Sequence, residues 1–331
     1  MDNRQRASVL VGITVLLALA FLPGLVITWV GYPVLTSVAT LAALGTLIPA
    51  LMAPRWIAVT TVLAIIVLSG LAAPASTTPW LAALVLACTG VLLGAASTRD
   101  ASGPLVVAAI GIIFLIAEPP PLADVGWGPS VTLMIATGTA AGWGLAAGLF
   151  IRWRRSLHPR EPDPSSRARA VAYAGTLAVV LGVSGWFVVL LDLGHGGAWF
   201  LMTFVIILQP DLKDAWRLTV ERAVGTVGGV LLAMALYAVL QDFPVILYAL
   251  AAIAAVTALT IRTTTTRPYW QYVVAMTPGV VLLEGLGRSV VETAELRVGF
   301  TLLAAGIALS IEAAARPIYR RRAHQAEATR Y

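Results

Sequence analysis

The sequence is poor in charged residues and in cysteine. Only 11% of its 331 residues are charged, whereas 59% are hydrophobic, and the mean hydropathy is +0.88. So few polar groups cannot cover the surface of a water-soluble domain, which excludes that class and predicts an all-α integral membrane protein. Cys88 is the only cysteine, so an intrachain disulfide is excluded.

Lysine and histidine are also scarce, and the motifs of several enzyme classes are missing. Lys213 is the only lysine and Leu212 precedes it, so the chain has no G-x-x-x-x-G-K-[ST] loop for ATP. It also has no His-Glu-x-x-His zinc motif. We therefore expect no cofactor, no metal and no enzymatic activity. The net charge of +6 falls in short segments between apolar runs, which is typical of topology signals and not of a nucleic-acid-binding surface.

Long apolar runs recur between turn signals along the whole chain. A membrane-spanning helix needs about 20 apolar residues, and the sequence predicts about twelve such segments, of which 104–118 and 197–210 are short for a full span. The predicted segments are 7–25, 33–52, 56–73, 79–97, 104–118, 128–151, 169–191, 197–210, 219–240, 243–261, 268–285 and 296–315.

The arginines predict the orientation of these segments. With the N-terminus inside, all lysines and arginines except Arg288 and Arg297 fall on the inner side, that is, 20 of 22. Both termini are therefore predicted to be cytoplasmic. The preference for arginine over lysine is typical of a GC-rich bacterial genome, so we expect a multi-pass protein of the bacterial plasma (inner) membrane.

The two halves of the chain align at a shift of 163 to 166 residues. Thr137–Leu145 aligns with Thr301–Leu309, and Glu118 aligns with Glu284. This pattern predicts two parallel six-helix repeats. The first segment, which ends in Ala18-Leu-Ala, also fits a cleaved signal peptide, but the repeat favours a retained helix. The predicted divisions are a first repeat over 1–151, a basic cytoplasmic linker over 152–168, a second repeat over 169–316 and a basic cytoplasmic tail over 317–331.

The stretch Glu-Arg-Ala-Val-Gly-Thr-Val-Gly-Gly, residues 221–229, places a charged pair before a glycine-rich apolar helix. Gly225 and Gly229 form a small-xxx-small pair, and Gly228 lies beside them, so these glycines are predicted to pack closely against another helix. Such contacts also suit a homo-oligomer. A tight helix crossing with an arginine at the lipid headgroups explains most of the stretch without a binding site.

Three features follow one another within residues 169–316: a short helix opened by His195-Gly-Gly-Ala-Trp199, a Gln209-Pro210 break, and Arg222-x-x-Gly-Thr-x-x-Gly. In this order they resemble the fusaric acid resistance family, also called aromatic acid exporters. The first half matches only in layout, because no such motif follows Arg55. The linker is also shorter than the cytoplasmic domain that many members carry. The resemblance implies efflux of small aromatic carboxylates across the lipid membrane.

The substrate of such an exporter needs a positive partner and an aromatic surface. Arg222 is the predicted partner of the carboxylate, because a guanidinium can hold a carboxylate with two parallel hydrogen bonds. Thr226, His195, Trp199 and Trp270 complete the predicted substrate-binding set. Each tryptophan also fits an anchor at the membrane interface.

Acidic residues at the membrane edge are the predicted proton carriers, since a carboxyl group in apolar surroundings exchanges protons near neutral pH. The candidates are Glu284, Glu118, Glu312 and Glu221. The alternatives are an ion pair of Glu312 with Arg316, and solvated helix ends for Glu118 and Glu284.

Three classes of function fit these patterns. The leading hypothesis is a secondary-active, proton-linked exporter of small organic acids. A passive anion channel would need the same arginine and glycines but no exchangeable acid, and a non-transporting membrane scaffold would need the glycines alone.

Overall fold

The chain is built from α-helices. A computed structural model describes residues 3–99, 101–122, 128–154, 167–208, 212–264, 268–285 and 289–328. Within these ranges there is no strand, and the twelve predicted segments are confirmed as twelve helices. They are α1 (Asn3–Trp29), α2 (Thr36–Met52), α3 (Arg55–Ala75), α4 (Pro79–Ser97), α5 (Ser102–Ala117), α6 (Pro129–Arg154), α7 (Arg167–Leu190), α8 (Gly194–Ile207), α9 (Leu212–Leu240), α10 (Pro244–Thr264), α11 (Tyr269–Gly285) and α12 (Val290–Ala328).

Most of these helices have the length and composition of membrane spans. In the described part of the chain, nine helices are long and apolar enough to cross a membrane, namely α1 to α4, α6, α7, α9, α10 and α12. Helices α5 and α8 have 16 and 14 residues, as the short runs predicted. Proline opens α4, α6 and α10, where its missing N–H leaves no helix hydrogen bond unmade. The parallel repeat and the cytoplasmic termini stay predictions.

The helices form two compact units, Met1–Ile206 and Ile207–Tyr331. In the first unit α2 packs on α5 and α6, α3 packs on α5 and α6, and α4 packs on α7. In the second unit α9 packs on α11 and α12, and α10 packs on α11. Helices α7 and α8 thus belong to the first unit. The repeat predicts a division at 152–168 instead, and that division stays a prediction. Residues 155–166 of that linker lie outside the described residues.

Small residues allow the close packing of the first unit. Ala43 of α2 and Ala140 and Ala141 of α6 are buried in one cluster. The Thr46 hydroxyl of α2 donates a hydrogen bond to the Ala141 carbonyl across this contact at 2.8 Å. Without a hydrophobic driving force between helices in lipid, close backbone contact and such hydrogen bonds hold the helices together.

Helix α9 begins earlier than predicted. It starts at Leu212 and not at residue 219, because the residues before 219 continue the same helix. Arg217 and Glu221 lie one turn apart and pair at 2.6 Å, which stabilises the helix across the predicted boundary. The predicted Gln209-Pro210 break lies outside the described residues.

Helix α12 also begins earlier, at Val290 instead of residue 296. The Glu292 amide donates to the Ser289 hydroxyl at 3.3 Å, so Ser289 caps the helix as in a Ser-x-x-Glu capping box. Arg297 therefore lies two turns inside α12 and is only 5% exposed, while its placement toward the outer side stays a prediction.

Candidate functional site

The second unit contains two buried arginines. Arg222 of α9 and Arg297 of α12 are each 5% exposed. An arginine side chain is almost never this buried unless it is paired with other polar groups, because moving its charge out of water is costly. Buried ionisable residues in membrane proteins commonly mark substrate or ion pathways. These two side chains define the candidate site.

The Arg222 guanidinium makes a hydrogen bond on one side, whereas its Nε makes none with the described residues. Its Nη1 donates to the Tyr269 hydroxyl of α11 at 3.1 Å. Its buried Nε has no hydrogen-bond partner among the residues that the structure describes. A buried donor without a partner costs about 1–3 kcal/mol, so an acceptor that entered the site would be stabilised there.

Arg297 interacts electrostatically with the same group of residues. It is attracted to Glu284 of α11 and repelled by Arg222, and it also interacts with Tyr269 and Tyr272. Arg222 and Arg297 are the buried arginines of this group, and Glu284 is the carboxylate that attracts Arg297. Arg262 adds a positive charge over the Tyr269 ring. The arginines of this group would therefore attract an anion.

The glycines of residues 221–229 bring α9 close to α11. A Cβ atom added at Gly225 would lie 2.6 Å from Val273 Cβ, and one at Gly229 would lie 2.6 Å from Thr277 Cβ. Gly228 lies at the edge of the contact, where an added Cβ would be 3.4 Å from the Val274 side chain. The close approach lets the Arg222 side chain reach Tyr269 at the start of α11.

Thr226 of α9 and Trp270 of α11 lie beside the contact between these two helices. Thr226 of α9 is buried and 2% exposed. The Trp270 ring is 39% exposed, and the Trp270 carbonyl faces Gly225. The ring is thus available to a ligand or to lipid. Whether it takes part in substrate binding stays a prediction.

Glu221 has two partners that fix its position. One carboxylate oxygen accepts from Arg217, and the other accepts from the Trp270 amide at 3.1 Å. That amide lies in the first turn of α11, where backbone N–H groups lack helix partners and a negative charge is favourable. This arrangement favours a role in joining α9 to α11 over the predicted role in proton transfer.

Three other predicted residues, His195, Trp199 and Glu118, lie in the first unit. His195 Nδ1 pairs with Glu118 Oε2 at 2.5 Å, and the rings of His195, Trp199 and Phe114 pack edge to face with centroids 5.5 to 5.9 Å apart. Trp199 is only 4% exposed. Glu118 is therefore paired with His195, which differs from a simple solvated helix end.

Three further outcomes concern the predicted set. In the described part of the chain no group of three His, Cys, Asp or Glu side chains is placed to hold a metal ion. Glu312 lies in α12, but its side chain is outside the described residues. The sequence argument did not select Arg297 or Tyr272 for the site, although the Ser289-x-x-Glu292 pattern could have placed Arg297 two turns inside its helix.

Comparison with known proteins supports the resemblance found in the sequence. A family model described as fusaric acid resistance protein-like matches residues 174–311. The match confirms the resemblance predicted for 169–316, and it covers somewhat less than half of the chain. Together with the apolar helices, it indicates a multi-pass membrane transport protein. No curated protein and no solved structure matches the chain.

Proposed function

We propose that this protein is a secondary-active, proton-linked exporter of small organic acids, with aromatic carboxylates as substrates. The observation that carries the proposal is the burial of two arginines, Arg222 and Arg297, which repel each other and of which Arg297 is attracted to Glu284. The match of residues 174–311 to a fusaric acid resistance model supports an exporter with this class of substrate. The bacterial plasma membrane is the proposed location.

Arg222 is the proposed primary contact of the substrate carboxylate. Its Nε has no partner in the described part of the chain, and Tyr269 fixes the opposite side of the guanidinium. A carboxylate that accepts from Nε and from a second guanidinium nitrogen forms the paired hydrogen bonds that arginine favours. Thr226 and the half-exposed ring of Trp270 would then contact the rest of the substrate.

Glu284 is the proposed proton carrier. A substrate carboxylate and the Glu284 carboxylate compete for Arg297, because both are attracted to the same buried charge. A substrate that takes the place of Glu284 beside Arg297 would leave the Glu284 carboxylate without that cationic partner. Glu284 is therefore the acid that we propose to be coupled to binding of the substrate.

The first test measures export of aromatic acids. Cells that produce the protein are expected to retain less fusaric acid and hydroxybenzoate than cells without it. Arg222→Gln should reduce the export rate at least tenfold, since a hydrogen bond to a charged group contributes about 1.5–3 kcal/mol. Retention is measured with a panel of radiolabelled acids at equal protein amounts in the membrane.

Arg154→Gln is the matched control, because Arg154 is an exposed arginine at the end of α6. It should export at the wild-type rate, and Arg222→Lys should recover part of the activity. Equal retention of every acid with and without the protein would contradict the proposal. Ion-channel currents in a planar bilayer without a proton gradient would favour a passive anion channel. Solute fluxes that neither the wild type nor Arg222→Gln changes would favour a scaffold.

A second test separates the proton candidates. In proteoliposomes with a pH gradient, Glu284→Gln is expected to lose accumulation driven by the gradient while it still exchanges labelled for unlabelled acid. Glu118→Gln should stay coupled, because Glu118 pairs with His195 in the first unit. Loss of coupling in Glu118→Gln alone would assign proton transfer to the His195 pair instead.

A further inference from the structure

The first unit contains a crevice that the proposed export site does not use. It lies between α3, α4 and α5 and has a volume of about 330 Å³. Ligand pockets for small molecules range from about 300 to 1,000 Å³. The crevice is therefore of a size for one small organic molecule.

The wall of the crevice is apolar and offers almost no hydrogen-bond donors. Leucine, isoleucine and alanine side chains form most of it. The hydroxyls of Thr60 and Thr61 donate to the Ile57 carbonyl, and the hydroxyl of Thr89 donates to the Val85 carbonyl. These hydroxyl protons are already donated to carbonyls of their own helices. The wall therefore suits the hydrocarbon part of a ligand, whereas an anionic group against it would lack a hydrogen-bond donor.

One end of the crevice supplies the missing positive charge. The Arg99 guanidinium lies over the ring of Trp56, 4.8 Å from its centroid. Among the described residues, Arg99 is the only charged one that lines the crevice. Asp100, the next residue in the sequence, lies outside the described residues. An exposed guanidinium stacked on an aromatic ring keeps its edge open to a carboxylate.

The second unit repeats this arrangement of an arginine over an aromatic ring. Arg262, at the end of α10, lies over Tyr269 with 5.8 Å to the ring centroid. Arg262 stands 163 residues after Arg99, a shift that also aligns other features of the two halves. Tyr269 contacts the buried Arg222. The first unit thus pairs the same type of arginine contact with an open crevice.

We propose that the crevice of α3, α4 and α5 is a second binding site for a small aromatic or aliphatic carboxylate. The apolar body lies between the three helices, and the carboxylate pairs with Arg99. The site is separate from the buried arginines of the second unit, and it does not depend on export being the function of the chain.

Photo-crosslinking in lipid nanodiscs tests this site on the full chain. The probe is 4-benzoylbenzoate, a benzophenone carboxylate, and labelled peptides are mapped by mass spectrometry. Peptides from α3, α4 and α5 should be labelled, and 2-naphthoate should compete. Below saturation, Arg99→Gln should reduce this labelling about tenfold, as expected for loss of a charge-assisted contact. Ala64→Phe, which fills the crevice, should abolish it.

Matched variants separate binding from folding and from the proposed export site. Arg55→Gln removes an exposed arginine next to Trp56 that does not line the crevice, and it should leave labelling unchanged. Arg99→Lys keeps the charge and should retain most of the labelling. Arg222→Gln should leave α3 to α5 labelled even where export is lost. Equal labelling of wild type and Arg99→Gln would overturn the proposal. Equal labelling by neutral 4-benzoylbenzamide, or a copurified lipid that 2-naphthoate does not displace, would also overturn it.

Discussion

Gly229→Ala is expected to lower the free energy of unfolding by about 1–3 kcal/mol, the usual cost of overpacking. A Cβ atom at this position would lie 2.6 Å from Thr277 Cβ and 3.0 Å from the Val274 carbonyl oxygen. Because the backbone of α11 cannot move aside as a side chain can, the two helices must separate. The loss should exceed the gain of about 1 kcal/mol that alanine brings to a helix.

Gly228→Ala is the matched control on the same helix. Its added Cβ would have only an ordinary contact, 3.4 Å from the Val274 side chain, so this variant should be as stable as the wild type or slightly more stable. Gly225→Ala should resemble Gly229→Ala, because Val273 Cβ would be 2.6 Å away. Unfolding is followed in mixed micelles by titration with a denaturing detergent. Equal stability of the Gly228 and Gly229 variants would contradict the close crossing of α9 and α11.

Gly229→Ala is also expected to reduce export, because it changes the geometry of the site. The contact between Arg222 Nη1 and the Tyr269 hydroxyl spans the crossing that the glycines close. If α9 and α11 separate, the guanidinium loses the partner that orients it. Gly229→Ala should therefore lose both stability and export.

The helices were predictable because each one carries its own signal. Apolar runs of membrane length mark the spans, and Pro79, Pro129 and Pro244 mark helix starts that the structure confirms. The start of α12 was predicted at residue 296, whereas the helix begins at Val290. The Ser289 and Glu292 cap was the competing local signal, and in the structure it determines where the helix begins.

The candidate site was only partly predictable, because its contacts join distant parts of the chain. Arg222 and the glycines lie within one short motif and were found from it. Arg297 belongs to the site because it interacts with Glu284 and Arg222, which lie on other helices. No periodicity of the sequence predicts that these three residues interact. The pair of Glu118 and His195 was missed for the same reason, since the two residues are 77 positions apart.

Arg297→Met is expected to lower the free energy of unfolding by about 2–4 kcal/mol and to abolish export. Breaking a buried ion pair by removing one partner usually costs about 3–5 kcal/mol, because the other charge remains uncompensated. The expected loss is somewhat smaller than this usual cost, since Glu284 is only partly buried and Arg222 is relieved of a neighbouring like charge. Stability and export are measured on the same preparations, at equal protein amounts.

The double variant Arg297→Met with Glu284→Gln separates stability from function. Replacing both members of a buried pair is often neutral, so the double variant should recover most of the stability that Arg297→Met loses. Export should stay absent, because the cluster then holds Arg222 alone and the proposed exchange of carboxylates on Arg297 cannot occur. Recovery of export together with stability would show that Arg297 only supports the fold, and the anion site would then be reduced to Arg222.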